Sequence, residues 1–317
     1  MKKIKLLFLT RYDEKGASSR IRFYNYKGLL NSSGCEVDIS PLLTSEYLEK
    51  IYANARVSKI YLLKRYFLRF LFIISHFWKY DVLIFEKELF PSLPSFFDIG
   101  LLRLFKRKIL DIDDAVYLNY ENSSRLFKGK IEKLFKVSDI VFAGSPALEE
   151  KALHCGVKKV VWLPTPVPDA KFFDKDSVSD GLVVGWIGSP STQKYLLARL
   201  ELIKFLISEF KTKFVFIGAK SDEFAKVPGI EVVSWDKGVE EGWLKKFDLG
   251  IMPLNDSEWS RAKCSYKLLL YMSVGCPVIA SPIGMNVDVL EGTRAGYLAG
   301  SDEEWVDAVK NYLNKSN

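Results

Sequence analysis

Histidine and cysteine are scarce in this sequence. Only two histidines, His76 and His154, occur among 317 residues, and they lie far apart. None of the four cysteines stands in a Cys-x-x-Cys spacing; they are Cys35, Cys155, Cys264 and Cys276. A zinc site of the usual Cys/His kind is therefore not expected. A disulfide scaffold is also disfavoured at this size, which predicts reduced thiols and a cytoplasmic protein.

Long uninterrupted apolar runs are missing as well. The run Leu6–Leu9 is shorter than the ~7 to 15 residues of a signal peptide core, so it predicts a first β-strand. The most apolar segment, residues 60–78, is broken by four basic or histidine side chains and falls short of the ~20 residues of a spanning helix. It is either a helix buried on one face against a sheet or an interfacial helix resting on an anionic bilayer.

The length of the chain predicts the number of domains, and its composition gives the net charge. The chain is 48% hydrophobic, and at ~100 to 200 residues per domain its length predicts two globular domains. Lysine and arginine number 46 against 39 acidic residues, a net charge of +7. This excess fits a phosphate-bearing ligand, a nucleic acid or an anionic membrane surface. Nucleic-acid binding is the weaker alternative, because most aromatic residues occupy periodic core positions.

Short apolar runs alternate with longer amphipathic stretches along the whole chain, as in βαβ units. The predicted fold class is α/β, with two Rossmann-like parallel-sheet domains. The predicted strands are Ile4–Leu9, Glu36–Ile39, Val82–Phe85, Lys108–Ile112, Ile140–Ala143, Val160–Leu163, Leu182–Ile187, Phe214–Ile217, Ile230–Val233, Leu249–Met252 and Pro277–Ala280. A last helix is predicted over Asp302–Leu313.

A proline-rich and then acidic stretch, PTPVPDAKFFDKDSVSDG, follows Leu163 and is typical of a connector. The sequence therefore predicts one domain over residues 1–168 and a second over residues 169–317. Each begins with a strand, a loop of small residues and a helix. Ligands of such open sheets bind beyond the carboxyl ends of the strands.

In the second half, Gly185 and Gly188 with Ser189 and Pro190 predict a sharp strand-to-helix turn in which Ser189 caps the helix. Free N–H groups there favour an anion, and Lys194 could add its charge one helical turn further on. The alternative is a tight turn without a ligand. The dinucleotide fingerprint Gly-x-Gly-x-x-Gly is missing, which disfavours a nicotinamide enzyme.

Three cations, Arg261, Lys263 and Lys267, are predicted to cluster at the start of a helix that runs to about Val274 and ends at Gly275. Cations at a helix N-terminus are repelled by the positive end of the helix dipole. They are tolerated more easily if a bound anion such as a diphosphate shares the site. The alternative is that all three simply face water.

Three aspartates stand close together in the first half. Asp111, Asp113 and Asp114 follow a strand and repel one another unless cations or sugar hydroxyls meet them. A solvated acidic loop is the alternative, and a hydrolase with paired carboxylates is a disfavoured one. In the loop after the first strand, Arg20 or Arg22 could bind phosphate or carboxylate. Two further acids, Glu86 and Glu88, are expected at a polar rim.

Four stretches, MPLNDSEWSRAKCSYKLLLYMSVGCPVIASPIGMN, VVGWIGSPSTQKYL, SDIVFAGSPALEEKAL and WLPTPVP, resemble family 4 glycosyltransferases of the GT-B fold. The similarity runs in the right order over nearly the whole chain. It implies an N-terminal acceptor domain and a C-terminal donor domain facing a central cleft. It also implies retaining transfer of a sugar from a nucleotide-diphosphate donor, with no essential metal and no other cofactor.

The resemblance also assigns roles to residues. Asp113 takes the place of the family's histidine near the transferred sugar, and Arg261 and Lys263 join it as catalytic candidates beside the departing diphosphate. The candidates for donor binding are Gly188, Ser189, Lys194, Ser265, Tyr266 and Lys267. Two glutamates that the family usually carries are replaced here by Ala262 and Leu270.

The expected function is transfer of a sugar from a nucleotide sugar to a glycan or lipid-linked acceptor, as in cell-envelope polysaccharide synthesis. The expected location is the cytoplasm, with possible peripheral contact to the inner face of the membrane, and no nucleic-acid partner is expected. Because both family glutamates are missing, the alternative is a non-catalytic GT-B-like binding protein or partner subunit.

Overall fold

Each half of the chain builds one six-stranded parallel sheet. The computed structural model describes residues 3–53, 55–167 and 181–316. The chain divides into a first unit of Met1–Pro166 with Ala262–Cys264 and a second unit of Val167–Arg261 with Ser265–Asn317. The domain boundary predicted at residues 168 and 169, and most of the predicted connector, lie outside the described residues.

The first unit carries strands in the order β2-β1-β3-β4-β5-β6. These are β1 Ile4–Tyr12, β2 Cys35–Leu43, β3 Val82–Glu86, β4 Lys108–Ile112, β5 Ile140–Ala143 and β6 Val160–Trp162. The helices are α1 Ala17–Arg22, α2 Lys27–Ser32, α3 Ser45–Tyr52, α4 Lys59–His76, α5 Ser95–Leu102, α6 Lys130–Val137 and α7 Pro146–His154. The strand order reverses between β1 and β3, and ligands of such sheets bind at this switch point.

The second unit repeats this layout with the order β12-β11-β10-β7-β8-β9, which reverses between β7 and β10. Its strands are β7 Val183–Ile187, β8 Lys213–Ile217, β9 Ile230–Val233, β10 Leu249–Met252, β11 Val278–Ala280 and β12 Gly296–Leu298. Its helices are α8 Lys194–Leu197, α9 Leu200–Phe210, α10 Asp222–Ala225, α11 Lys237–Leu244, α12 Glu258–Arg261, α13 Tyr266–Met272, α14 Met285–Leu290 and α15 Asp302–Ser316.

The predicted α/β class with two Rossmann-like sheets is confirmed. All eleven predicted strands are present, and β12 is the strand that the apolar pattern missed, because it has only three half-buried residues. The helix predicted from Arg261 to Val274 is wrong in one respect. It is two helices, α12 and α13, because Ser265 adopts a left-handed conformation (φ +47°) between them.

Membrane-spanning segments were not expected from the sequence. Within the described ranges, no helix combines the length and the apolar content needed to cross a bilayer.

Close packing of aromatic rings against β7 and β10 holds the core of the second unit together. One face of the sheet buries Trp186, Phe214 and Phe216, and the other buries Phe247 and Tyr271. The strands carry glycine where these rings approach most closely, since a Cβ at Gly185 would overlap the Phe247 ring and one at Gly250 would overlap Tyr271.

We expect Gly185→Ala to lower the free energy of unfolding of the second unit by about 1–3 kcal/mol, because the new methyl group overpacks the core. Gly242→Ala in α11 is the matched control. No atom lies within 4 Å of its new Cβ, so its stability should be unchanged or slightly higher. Urea denaturation followed by tryptophan fluorescence measures both. Equal stability of Gly185→Ala and the wild type would contradict this packing.

Candidate functional site

A buried ion pair lies at the carboxyl end of the first sheet. Arg22, the last residue of α1, donates from Nε to Asp111 Oδ2 at 2.7 Å and from Nη2 to Asp111 Oδ1 at 2.6 Å. Its Nη1 also donates to Thr165 Oγ1 at 3.0 Å. Both charged side chains are buried. Of the two arginines expected to bind phosphate or carboxylate, Arg22 therefore binds a carboxylate of the protein itself.

Asp113 lies in a second buried pair beside the first. Its Oδ1 is 2.8 Å from Lys87 Nζ, and its Oδ2 accepts a 2.6 Å hydrogen bond from Ser18 Oγ. Burial alone would raise the pKa of Asp113, but Lys87 and Arg22 hold it well below its ordinary value. The carboxylate is thus ionised at neutral pH and can accept a hydrogen bond from a hydroxyl, but it cannot act as a general acid.

Lys87 is a candidate site residue that the sequence patterns did not reveal. It follows β3 directly, is buried, and has a left-handed backbone (φ +61°). Such strain in a residue other than glycine is found where surrounding structure enforces it, often at functional sites. Its Nζ also lies 3.5 Å from Asp114 Oδ2. The signal in the sequence was a single lysine between two glutamates at a predicted strand end.

The two glutamates flanking Lys87 are buried and not at a polar rim, so that expectation is wrong. Glu86 is 1% exposed and accepts hydrogen bonds from the Arg11 amide at 2.8 Å and from Ser19 Oγ at 2.6 Å. Glu88 is 3% exposed and lies 2.8 Å from Lys130 Nζ. The interpretation of the three aspartates as a solvated acidic loop fails for the same reason, since Asp111 is also buried.

The segment Ala262–Cys264 belongs to the first unit and lies at the ends of β4 and β5. The Ala262 carbonyl accepts from Ser145 Oγ at 2.8 Å, and Cys264 Sγ donates to the Asp113 carbonyl at 2.9 Å. Lys263 Nζ is 3.8 Å from Asp114 Oδ1. Burial strongly raises the pKa of the Cys264 thiol, so this cysteine is a poor nucleophile.

In the second unit, the turn after β7 and one cation come together around Trp186. Lys267 Nζ lies 4.4 Å above the centre of the Trp186 ring. The same ring underlies Gly188, where a Cβ would overlap it. Lys267, from the first turn of α13, and the Gly188 turn thus approach the same ring, while donor binding by them stays a prediction. A cation on an aromatic face is a stable arrangement.

The predicted cap at Ser189 is wrong. The Ser189 carbonyl accepts from the Thr192 amide at 2.9 Å, and its own amide donates to Thr192 Oγ1 at 3.2 Å. The chain thus makes a closed turn, and α8 begins only at Lys194. Lys194 is the first residue of this helix instead of lying one turn in, and its exposed Nζ is 5.2 Å from the Tyr195 ring.

Arg261 is not part of a cation cluster at a helix N-terminus. It is the last residue of α12, and its exposed guanidinium donates to both carboxylate oxygens of Asp256, at 2.7 and 2.8 Å. Lys263 lies between the two helices, so only Lys267 occupies a first helical turn. An exposed ion pair of this kind is easily exchanged for another anion.

Ser265 has an internal role. It is buried, and its hydroxyl donates to Asn286 Oδ1 at 2.7 Å, while Asn286 Nδ2 donates to the Ser281 carbonyl at 3.0 Å. These bonds hold the left-handed turn that starts α13. Tyr266 follows as the first residue of that helix and packs at the edge of the core. Donor binding by Ser265 and Tyr266 stays a prediction.

The two positions of the missing family glutamates are buried and apolar. Ala262 has no exposed surface, and Leu270 packs in the core beside Val278. Neither position could present a carboxylate to a ligand without losing this packing.

Two further findings concern metals and histidine. Among the described residues, no group of three or more His, Cys, Asp or Glu is arranged to hold a metal ion. His76 Nδ1 lies 3.1 Å from the Phe72 carbonyl within α4, and His154 Nδ1 lies 2.9 Å from the Glu150 carbonyl within α7.

These observations define an α/β protein with two Rossmann-like units. In each unit, candidate site residues follow a strand at the switch point of the sheet, Lys87 after β3 and Gly188 after β7. Residues 181–315, within the second unit, match a family described as "Glycosyl transferases group 1". No curated protein matches the sequence.

Solved structures resemble nearly the whole chain at low identity. A glycosyltransferase from Rickettsia africae is 13% identical over 99% of this chain and 89% of its own, with a TM-score of 0.66. HepE of Anabaena, solved with UDP and glucose, is 13% identical over 99% and 90%, with a TM-score of 0.59. The UDP-GlcNAc 2-epimerase of Methanocaldococcus jannaschii is 10% identical over 98% and 93%, with a TM-score of 0.57. The likeness shows the fold, which hosts more than one reaction.

We expect Arg22→Met to lower the free energy of unfolding of the first unit by about 3–5 kcal/mol, because it leaves the Asp111 carboxylate buried without its partner. Urea denaturation followed by circular dichroism measures the loss. Lys15→Met is the matched control, since Lys15 pairs with Glu49 at the exposed surface, and it should not change stability measurably. If both variants unfold at the same urea concentration, the pair does not hold the end of the sheet together.

Proposed function

We propose that this protein is a glycosyltransferase that moves a sugar from a nucleotide-diphosphate donor to a glycan or lipid-linked acceptor of the cell envelope, with retention of configuration. The observation that carries the proposal is the position of Lys267 on Trp186 beside the Gly188 turn, within the region that matches group 1 glycosyltransferases. A neighbour with the same fold, HepE, was solved with UDP and glucose, which supports a nucleotide donor.

The proposed reaction breaks the bond between the anomeric carbon of the sugar and the diphosphate oxygen. The acceptor hydroxyl oxygen bonds to that carbon on the same face, and its proton passes to the departing diphosphate. Such a displacement requires no nucleophilic side chain. This agrees with the buried, weakly acidic Cys264 thiol and with two histidines whose recorded ring contacts stay within their own helices.

Negative charge grows on the diphosphate as it departs, so cations placed there in advance stabilise the transition state. We assign this role first to Lys267, with Lys194 beside the same turn. Lys263 and Arg261 would join them by exchanging their contacts with Asp114 and Asp256 for the diphosphate. The proposal assigns neutralisation to these side chains and requires no metal ion.

Asp113 is assigned to the transferred sugar. Its carboxylate is held ionised by Lys87 and fixed in direction by Ser18. A fixed, charged acceptor can orient sugar hydroxyls and bind them more tightly than water does. With Ala262 and Leu270 in place of the family glutamates, the ribose must be bound by other groups.

We expect nucleoside diphosphates to bind the wild type and to raise its melting temperature, because a ligand of the native state stabilises it. Lys267→Met keeps the aliphatic stem on Trp186 but removes the charge, and should weaken binding by roughly 10- to 100-fold. Lys267→Arg, which keeps the charge, and Lys204→Met, at an exposed helix surface, are the controls. Thermal shift with a panel of uridine, guanosine and adenosine diphosphates and their sugars measures this.

No thermal shift with any donor would reject the proposed donor class. Binding without transfer to any acceptor would favour the alternative of a non-catalytic binding protein. Conversion of a free nucleotide sugar to its epimer would show a different reaction on the same fold.

We expect Asp113→Asn to reduce sugar transfer by roughly 10- to 100-fold, because the amide keeps the shape of the carboxylate but loses its charge. Affinity for the nucleoside diphosphate should stay within threefold of the wild type. Initial rates at saturating donor, together with calorimetric titration of the diphosphate, separate the two effects. If the variant transfers sugar at the wild-type rate, the assignment of Asp113 to the transferred sugar is wrong.

A further inference from the structure

Helix α4 presents its apolar side to solvent. Its exposed large side chains recur every three or four residues, and the first three, Ile60, Leu63 and Phe67, are 60–78% exposed. The stripe consists of Ile60, Leu63, Phe67, Phe70, Leu71 and Ile74. A surface helix of a globular protein normally turns such a stripe toward the core. This one is inverted.

The inward side of α4 carries two arginines besides the buried Ile73, and these arginines explain the inversion. Arg65 donates from Nε to the Leu42 carbonyl at 2.7 Å, and Arg69 donates from Nη2 to the Thr10 and Ser40 carbonyls at 2.6 and 2.7 Å. Arg65 thus binds a carbonyl group of β2, and Arg69 binds one carbonyl group of β1 and one of β2. Because these bonds set the rotation of the helix about its axis, the apolar stripe cannot turn inward without breaking them.

The exposed apolar surface continues beyond α4. Trp78, just after the helix, is 63% exposed, and Phe96 and Phe97 of the neighbouring α5 are about half exposed. Leu104 follows at the end of α5. We call the stripe together with these four residues the apolar face. Large exposed apolar patches are rare on proteins that stay monomeric in water, and they mark sites of interaction.

The charged side chains on the segments that carry the apolar face are mostly positive. No aspartate or glutamate occurs from Lys50 to Tyr80, and none occurs from residue 99 to residue 110. The exposed cations of these stretches include Lys59, Lys64, Lys79, Arg103, Lys106 and Arg107. A surface pocket beside Trp78 is lined by the cations Lys3, Lys106 and Arg107 and by one acidic residue, Asp81.

We propose that the apolar face lies on an anionic phospholipid bilayer, with the stripe of α4 at the level of the acyl chains and the surrounding cations at the phosphate groups. An apolar surface with a basic rim is the pattern of interfacial helices, and long lysine side chains can reach the headgroups from its edges. A second copy of the chain fits less well, because pairing two such faces would bring their cations together. Docking does not depend on the proposed transfer reaction.

Co-sedimentation with lipid vesicles tests this proposal on the full chain. We expect binding to vesicles of equal parts phosphatidylcholine and phosphatidylglycerol, and at least tenfold weaker binding to phosphatidylcholine alone. The double variant Leu63→Asp with Phe67→Asp should lose at least tenfold in affinity for the anionic vesicles. Leu153→Asp with Phe205→Asp, which replaces two exposed apolar residues elsewhere, should bind like the wild type.

Circular dichroism melts of both double variants should match the wild type, since all four positions are exposed. Quenching of tryptophan fluorescence by brominated acyl chains should fall in Trp78→Phe. The proposal is overturned if the wild type does not bind anionic vesicles. It is also overturned if the double variant at Leu63 and Phe67 binds these vesicles as tightly as the wild type. It is also overturned if sedimentation velocity without lipid finds a dimer that this variant dissociates, because a second copy would then cover the face.

Discussion

The buried pair of Arg22 and Asp111 is the constraint on which the end of the first sheet depends. A carboxylate removed from water needs a well-placed partner, and removing either partner leaves an uncompensated charge. The pair therefore fixes the end of α1 against β4, and Thr165 binds the same guanidinium. The neighbouring pair of Lys87 and Asp113 repeats this arrangement, with its lysine held in a strained backbone conformation.

The two units use charge in different ways. In the first unit, the carboxylates are met by buried cations, so a ligand encounters an ionised Asp113 already held in one direction. In the second unit, Lys267 rests on an aromatic ring beside a turn of small residues, and the exposed Arg261 is tied only to Asp256. Under the proposed function, Asp113 orients the neutral sugar and Lys267 binds the diphosphate.

Helix α4 shows that the same amphipathic pattern is compatible with opposite orientations. Its periodicity predicted one apolar face, and a face of this kind usually packs on a sheet. The direction it faces was set by Arg65 and Arg69, which bind backbone carbonyls at the ends of β1 and β2. Those carbonyl groups are brought together only by the folded sheet, so no local pattern could reveal the inversion.

The sequence was sufficient to predict the two parallel sheets, because buried strands and amphipathic helices leave periodic apolar patterns in neighbouring residues. It also located the acidic and glycine-containing strand ends where functional groups would lie. Which charged side chains meet is visible only in the folded chain. Arg22 and Asp111 are 89 residues apart in the sequence, and Lys87 and Asp113 are 26 residues apart. The break between α12, which ends at Arg261, and α13, which begins at Tyr266, was not predicted either. Ion pairing and backbone strain both depend on chain segments that are distant in sequence.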